Sequence, residues 1–276
     1  MTPPSFQSIV HPTDFSEASD AAFAHALRIA VAARAAFSTL HIEKPEDDER
    51  GGEFPHVRRT LAAWSLLDAD APEATVFAKL GVRVTKSGIA AHDTGGGILD
   101  FVRHHACDLM VLASHDHHGM RAWFGGSLGQ QVARGAHVST LFVRANQRGF
   151  VDPDTGACAL KKIVLPVDAG MNNAFAWRKI IAFAKLLEPA AIVQLLHVGL
   201  REPVLRDERG RVLDLPVVTR QGSVVEAILA FANEVDADLI AMPTAGHHGV
   251  LDALRGSTTE RVLREAPCPL LAVPVE

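Results

Sequence analysis

The feature of this sequence that most constrains its fold is an internal repeat. Four pairs of segments share one spacing, since 228 minus 98 and 238 minus 108 both give 130. The pairs are Ile98-Leu99-Asp100-Phe101 with Ile228-Leu229-Ala230-Phe231, Asp108-Leu109-Met110 with Asp238-Leu239-Ile240, His117-His118-Gly119 with His247-His248-Gly249, and Gly126-Ser127 with Gly256-Ser257. A chain of 276 residues built from two such copies predicts two domains with the same architecture.

Each copy begins with a short apolar run that stops at a proline and an aspartate. The runs are SIVHPTD, ending at Asp14, and KIVLPVD, ending at Asp168. In each copy a stretch with helical periodicity follows, over 19–33 in the first and 173–187 in the second. A second apolar run comes next, over 37–42 and 191–198. Each copy closes with a predicted apolar strand, 139–143 in the first and 269–273 in the second. Strands that alternate with helices predict a parallel sheet covered by helices on both faces.

The polar residues at the strand ends indicate where a ligand would bind. Asp14 and Asp168 follow the first strands, while Ser114 and Thr244 end the fourth. Ligands of open α/β sheets bind beyond the carboxyl ends of the strands. We therefore expect these residues to share one edge of the sheet.

The repeat also predicts the domain boundaries. We assign the first domain to 1–145, a linker rich in glycine and proline to 146–160 and the second domain to 161–276. The offset at the first aspartate is 168 minus 14, or 154, which exceeds 130 by 24. The extra residues fall in an insertion around 43–72 of the first copy, with helical character over 58–67.

Composition excludes several classes of protein. A net charge of −5, from 27 basic and 32 acidic residues, lacks the excess of cations that nucleic-acid binding needs. No apolar run reaches the ~18 residues of a membrane span, and the amino terminus does not resemble a signal peptide. Three distant cysteines without CxxC spacing fit a reducing compartment. We expect a cytoplasmic protein that binds neither membrane nor nucleic acid.

At these residues the sequence resembles the universal stress protein family. The resemblance rests on the Pro-x-Asp after the first strand, on His41 and His197 at the ends of the second strands, and on the closing segment 256–269, GSTTERVLREAPCP. It implies two tandem copies of a doubly wound, Rossmann-like, adenine nucleotide alpha hydrolase-like domain with a parallel five-stranded sheet. We expect His41 and His197 to be structural.

Nucleotide-binding members of that family carry Gly-x2-Gly-x9-Gly-Ser/Thr after the fourth strand. The second copy has Pro243-x2-Gly246-x9-Gly256-Ser257, and the first has Ala113-x2-Asp116-x9-Gly126-Ser127. Glycines let backbone N–H groups approach phosphates, and a Gly-Ser pair that opens a helix favours anions. Proline removes one donor, whereas an aspartate places a negative charge near a phosphate. The second copy is therefore the better candidate.

The resemblance implies ATP, with Mg, as the ligand. By this resemblance, the adenosine end would contact Asp168 and the backbone of Leu165, Pro166 and Val167. The phosphates would be held by Gly246, Gly256, Ser257 and Thr258, and the same site would be lined by Met242, Thr244 and His247. The counterparts in the first copy are Asp14, Gly126 and Ser127. The aspartates and the Gly-Ser pairs can equally be helix caps, which need no ligand.

Three other functions stay open at this stage. The replacement of motif glycines by Pro243, Ala113 and Asp116 favours a scaffold that binds no nucleotide and acts through dimerisation and unknown protein partners. His115, Asp116, His117 and His118 form a cluster that suits zinc, although their spacing matches no zinc signature and we do not expect zinc to bind. No residue would orient a base beside Ser127 or Ser257, so we expect no catalytic residues and at most slow ATP hydrolysis. Cys107 and Cys268 fit a core rather than a nucleophile.

The closing strands predict the assembly. Each would be an exposed apolar edge if it were unpaired. We expect the two strands to pair within the chain as a pseudo-dimer, and a homodimer is possible.

Overall fold

A computed structural model describes residues 6–43, 53–114, 138–144, 147–168, 174–201, 203–207, 209–244 and 258–275. The strands are β1 (Ser8–Pro12), β2 (Ala36–Glu43), β3 (Arg83–Ala90), β4 (Leu109–Ser114), β5 (Ser139–Arg144), β6 (Lys162–Val167), β7 (Ile192–Val198), β8 (Val217–Arg220), β9 (Leu239–Thr244) and β10 (Leu270–Pro274). The helices in these segments are α1 (Glu17–Ala33), α2 (Val57–Ala63), α3 (Ala74–Leu80), α4 (Thr94–His104), α5 (Ala174–Leu187), α6 (Val224–Glu234) and α7 (Thr258–Glu265). The predicted βαβ order is confirmed.

The ten strands form one sheet in the order β3-β2-β1-β4-β5-β10-β9-β6-β7-β8. Neighbours within each half are parallel, and β5 meets β10 in antiparallel register, with Leu141 opposite Leu271. The predicted pairing of the two closing strands within the chain is therefore confirmed. This pairing forms backbone hydrogen bonds between two apolar edge strands that could otherwise pair with another chain.

Side-chain alternation along the strands builds one apolar core on each face of the sheet. Ile9 and Ile163 lie in the core beneath α1 and α5, whereas their neighbours Val10 and Val164 lie in the core beneath α4, α6 and α7. All four are at most 1% exposed. Strands covered on both faces need apolar residues at successive positions, which is why these runs lack polar alternation.

The two copies share an atomic detail at the start of their first strands. Asp108 Oδ2 accepts hydrogen bonds from the N–H groups of Gln7 (2.8 Å) and Ser8 (2.9 Å). Asp238 Oδ2 accepts the same pair of bonds from residues 161 and 162, at 2.8 and 2.9 Å. The repeat seen in the sequence is thus also a repeat of hydrogen bonds.

The connection between the copies is a packed turn. Val151 and Cys158 form an antiparallel bridge, and Phe150 and Leu160 are at most 1% exposed. Trp64, just after α2, donates from Nε1 to the carbonyl oxygen of Pro153 at 2.9 Å. The predicted linker is thus fixed to the insertion of the first copy, a contact that its glycine and proline content did not reveal.

The insertion contributes α2, which begins one residue before the predicted helical stretch 58–67 and ends four residues short of its end, and one wall of a cavity. Between β7 and β8, where the second copy has no counterpart of this insertion, the described residues contain no helix. No helix in the described segments combines the length and the apolar character that crossing a bilayer requires.

Candidate functional site

The strand order places the predicted strand-end residues of each copy at the same edge of the sheet, on neighbouring strands. β1 pairs with β4 at an offset of 100, Ile9 opposite Leu109, which aligns Asp14 with Ser114. β6 pairs with β9 at an offset of 76, Ile163 opposite Leu239, which aligns Asp168 with Thr244. Each aspartate therefore follows a central strand, at the carboxyl edge that the topology predicts for a ligand.

A histidine at the end of each second strand fixes the loop that carries the aspartate. The Nδ1 of His41 lies 2.9 Å from the carbonyl oxygen of Thr13, and the Nδ1 of His197 lies 3.0 Å from that of Val167. A carbonyl can only accept, so Nδ1 carries the proton in both rings. Each acceptor immediately precedes an aspartate, and both histidines have the structural role expected of them.

In the first copy the aspartate is already engaged by its own helix. Asp14 Oδ1 accepts hydrogen bonds from the Ser16 N–H (3.1 Å), the Ser16 Oγ (2.6 Å) and the Ser19 Oγ (3.0 Å). Ser16 is the N-cap of α1. Asp14 is thus not the N-cap that the sequence allowed; its carboxylate holds the turn that leads into α1, a role that needs no ligand.

Aromatic rings fill the edge beside Asp14. Phe15 stacks on the ring of His41 with centroids 4.1 Å apart, and Phe54 of the insertion meets Phe15 edge-on at 5.4 Å. Phe15 has a φ of +60°, in the left-handed region that costs a residue with a Cβ free energy. The sequence analysis missed this cluster, and the only signal for it was a phenylalanine directly after Asp14.

A cavity of about 530 Å³ adjoins these rings, and its lining is acidic. Asp20, Glu53 and Asp154 contribute three carboxylates against the single guanidinium of Arg59, so one minus three leaves −2. Burial raises the pKa of Asp20, and the nearby charge of Glu17 raises it further. A polyphosphate would meet repulsion here.

In the second copy the corresponding edge carries a buried hydroxyl that has no partner within the described segments. Thr244 is 3% exposed, and its Oγ1 makes no hydrogen bond to any residue that the structure describes. The Thr244 carbonyl oxygen accepts from the N–H of Val275 at 3.1 Å, which holds the backbone in place. Asp168, aligned with it on the next strand, is exposed. A buried hydroxyl without a partner costs about 1–3 kcal/mol, which a ligand could recover.

The other predicted residues of the second copy divide into a buried set and an edge set. Leu165, Val167 and Met242 are buried, and Pro166 is half-buried. Thr258 is the first residue of α7. Pro243 lies inside β9 opposite Val273, so the residue that replaces the first glycine of the motif sits in a strand. Its counterpart Ala113 also lies in a strand, β4, opposite Val143.

Several predicted residues lie outside the described part of the chain. They are Gly126, Ser127, Gly246, His247, Gly256 and Ser257 of the phosphate-binding motif, and His115, Asp116, His117 and His118 of the metal cluster. Among the described residues, no group of three or more His, Cys, Asp or Glu side chains is placed to hold a metal ion.

The two cysteines assigned to the core have weakly acidic thiols. Cys268 is 1% exposed and Cys107 is partly buried. Burial raises the pKa of both thiols to about 12. Both are therefore protonated at neutral pH, and a protonated thiol is a poor nucleophile.

Similarity to known proteins agrees with this architecture. The model of the universal stress protein family matches residues 5–144 and 182–274. Universal stress protein Sll1654 of Synechocystis is 26% identical over 153 residues, which span 48% of this chain and 96% of that protein. A Thermus aquaticus universal stress protein is 47% identical over 53 residues, 19% of this chain and 39% of that protein.

Solved structures show the same fold over nearly the whole chain. A universal stress protein from Archaeoglobus fulgidus superposes with a TM-score of 0.60 at 18% identity, covering 98% of this chain and 97% of that one. A Pseudomonas aeruginosa structure described as a putative universal stress protein gives 0.60 at 16% identity, covering 98% and 93%. The family model matches both halves of the repeat, and the chain therefore belongs to the universal stress protein family.

Proposed function

We propose that this protein is a cytoplasmic stress-response signalling module that binds an adenine nucleotide, ATP with Mg, mainly in its second half. The observation that carries the proposal is the difference between the two equivalent sheet edges. In the second half, the Thr244 hydroxyl is buried with no partner among the described residues, and Asp168 is exposed at the end of the neighbouring strand β6. In the first half, Asp14 is engaged by Ser16 and Ser19.

Electrostatics supports the same choice of half. The acidic cavity beside Asp14 repels a polyphosphate, and the rings of Phe15, His41 and Phe54 occupy the space next to it. In the second half, the Gly256-Ser257 pair of the motif immediately precedes α7. The N–H groups at a helix start favour phosphate.

Asp168, Thr244 and Thr258 supply oxygen atoms for the nucleotide and its Mg. A carboxylate can accept from ribose hydroxyls, a buried hydroxyl can donate to a ring nitrogen or a phosphate, and Mg prefers oxygen ligands. Among the residues that the structure describes, no base pairs with any of these three side chains to activate water. We accordingly propose binding and release, with hydrolysis slow at most.

The test is calorimetric titration of nucleotide-stripped protein with Mg-ATP. We expect saturable binding near one site per chain, and Gly256→Asp should weaken it at least tenfold, because a carboxylate then faces the phosphates. Gly126→Asp places the same change at the equivalent position of the first half and should leave the affinity unchanged. Absence of heat at millimolar Mg-ATP would refute the proposal.

A second pair of variants tests the aspartates. Asp168→Ala should weaken ATP binding without loss of stability, whereas Asp14→Ala should lower the free energy of unfolding by about 1 kcal/mol, because it removes the hydrogen bonds that hold the turn before α1. Equal effects of both variants on ATP affinity would place the nucleotide in both halves or in neither.

A scaffold that binds no nucleotide is the second candidate, and Pro243 favours it. This residue stands within β9 where the motif has a glycine, and it offers no backbone N–H to a phosphate. Wild-type protein that fails to bind Mg-ATP while forming a dimer in sedimentation would support the scaffold.

A further inference from the structure

Several cationic side chains surround a cavity of about 770 Å³ at one edge of the sheet. The cavity lies between α2, α3 and the edge strand β3. Arg58, Arg83 and Lys86 line it together with one carboxylate, Glu73, so three minus one leaves +2, and Arg59, which also faces the acidic cavity, is a fourth lining cation. This excess stands out in a chain whose net charge is −5.

The cations have no compensating partners among the residues that the structure describes. Arg58 donates from Nη1 to the carbonyl oxygen of Ala71 at 3.2 Å, and none of the four forms an ion pair with a described carboxylate. Like charges around one cavity repel, and an anion bound among them relieves the repulsion. Guanidinium groups suit phosphate and sulfonate because they donate two parallel hydrogen bonds.

An apolar surface completes the cavity. Phe77 of α3 is 56% exposed, and the Arg83 guanidinium lies over its ring at 5.5 Å from the centroid. Val57, Val76 and Val84 also line the cavity. The volume is within the range of pockets that hold small molecules, about 300–1,000 Å³. Apolar walls beside several cations fit a ligand that has both an apolar body and a charged group.

We propose that this cavity binds a small organic anion, with a phosphate or sulfonate group held by the cations and an apolar or aromatic body against Phe77. The site lies between α2 of the insertion and α3 and β3 of the first half, and it is separate from the nucleotide site proposed for the second. It gives the insertion a role as a second, independent ligand sensor.

The probe is 1-naphthyl phosphate, followed by its fluorescence, with uncharged 1-naphthol as the matched ligand. We expect saturable binding of the phosphate at one site per chain, with 1-naphthol at least tenfold weaker. Arg83→Gln with Lys86→Gln should weaken phosphate binding at least tenfold. Both side chains are exposed and neither makes a hydrogen bond within the described chain, so the fold should tolerate the change.

A charge-matched control is Lys185→Gln with Arg209→Gln, which removes two exposed cations from the second half and should leave binding unchanged. Gly256→Asp should also retain full binding of 1-naphthyl phosphate. Binding lost in Gly256→Asp but kept in the cavity variant would assign the probe to the nucleotide site and overturn the inference. So would equal binding of 1-naphthol, or no saturation by millimolar concentrations.

Discussion

The ring of His25 accepts hydrogen bonds at Nε2 from the backbone N–H of Phe150, at 3.1 Å, and from that of the following residue, Val151, at 3.2 Å. Two donors at Nε2 require that this nitrogen carry no proton. The proton therefore sits on Nδ1, which donates to the carbonyl oxygen of Ala21 at 2.7 Å. One neutral imidazole in α1 thus attaches the turn between the two halves to the first half.

His25→Phe should lower the free energy of unfolding by about 2–4 kcal/mol, because a ring of similar size leaves two buried N–H groups without an acceptor. Urea denaturation would measure the loss. His104→Phe is the control, since His104 also bonds from Nδ1 to the carbonyl oxygen four residues before it, at 2.7 Å, but is exposed. The control should change stability by less than about 0.5 kcal/mol, and an equal loss in both variants would contradict the assignment.

Stability should fall as the pH drops below 6.5, because burial lowers the pKa of both His11 and His25 to about 4. Well above pH 6.5 these rings are neutral in both the folded and the unfolded state, so they contribute nothing to the pH dependence there. Below it the unfolded chain binds protons that the folded chain does not, so unfolding is favoured until about pH 4. Each histidine should cost about 2 kcal/mol at pH 5 relative to pH 7.

His11→Leu separates this effect from other titrations. Leu165 is the residue at the equivalent position of the second half, where it is 1% exposed. His11 is itself fully buried with no partner at Nε2 among the described residues. The variant should lose about 2 kcal/mol less than the wild type between pH 7 and pH 5 in denaturation experiments. An unchanged pH dependence would show that His11 titrates normally.

Gly156→Ala should lower the free energy of unfolding by more than the positive φ angle alone accounts for. Gly156 has a φ of +67°, and an added Cβ would overlap Cδ2 of Trp64, whose ring cannot retreat without breaking its bond to Pro153. Gly210→Ala is the control, because Gly210 has a similar φ of +74° and open space around the added Cβ. Thermal unfolding should show a loss of about 1–2 kcal/mol for the control and at least ~1 kcal/mol more for Gly156→Ala.

The paired aspartates at the strand starts should be equivalent in stability. Asp108→Ala and Asp238→Ala each leave two backbone N–H groups without their acceptor, and each should cost about 1–3 kcal/mol in urea denaturation. Asp238 also accepts from Arg148 at 3.1 Å, but that pair is too exposed to add much. A loss confined to one copy would show that the two halves do not use the repeat in the same way.

Much of the fold was predictable because local chemistry repeats. The apolar runs, the aspartates behind them and the constant offset of 130 predict two βαβ domains, and pairing of the closing strands follows from two apolar edges in one chain. The alignment of Asp168 with Thr244 also follows, since parallel strands end at the same edge.

The sequence by itself determined the repeat, the parallel order of each half and the edge where a ligand would bind, because these depend on periodicity and on residues close together in the chain. Tertiary structure alone decided that His25 and Trp64 hold the connecting turn, that aromatic rings fill the first edge, and that four cations surround one cavity. These features join residues separated by as many as 126 positions. No local pattern records such contacts, since they depend on how helices and turns pack against a completed sheet.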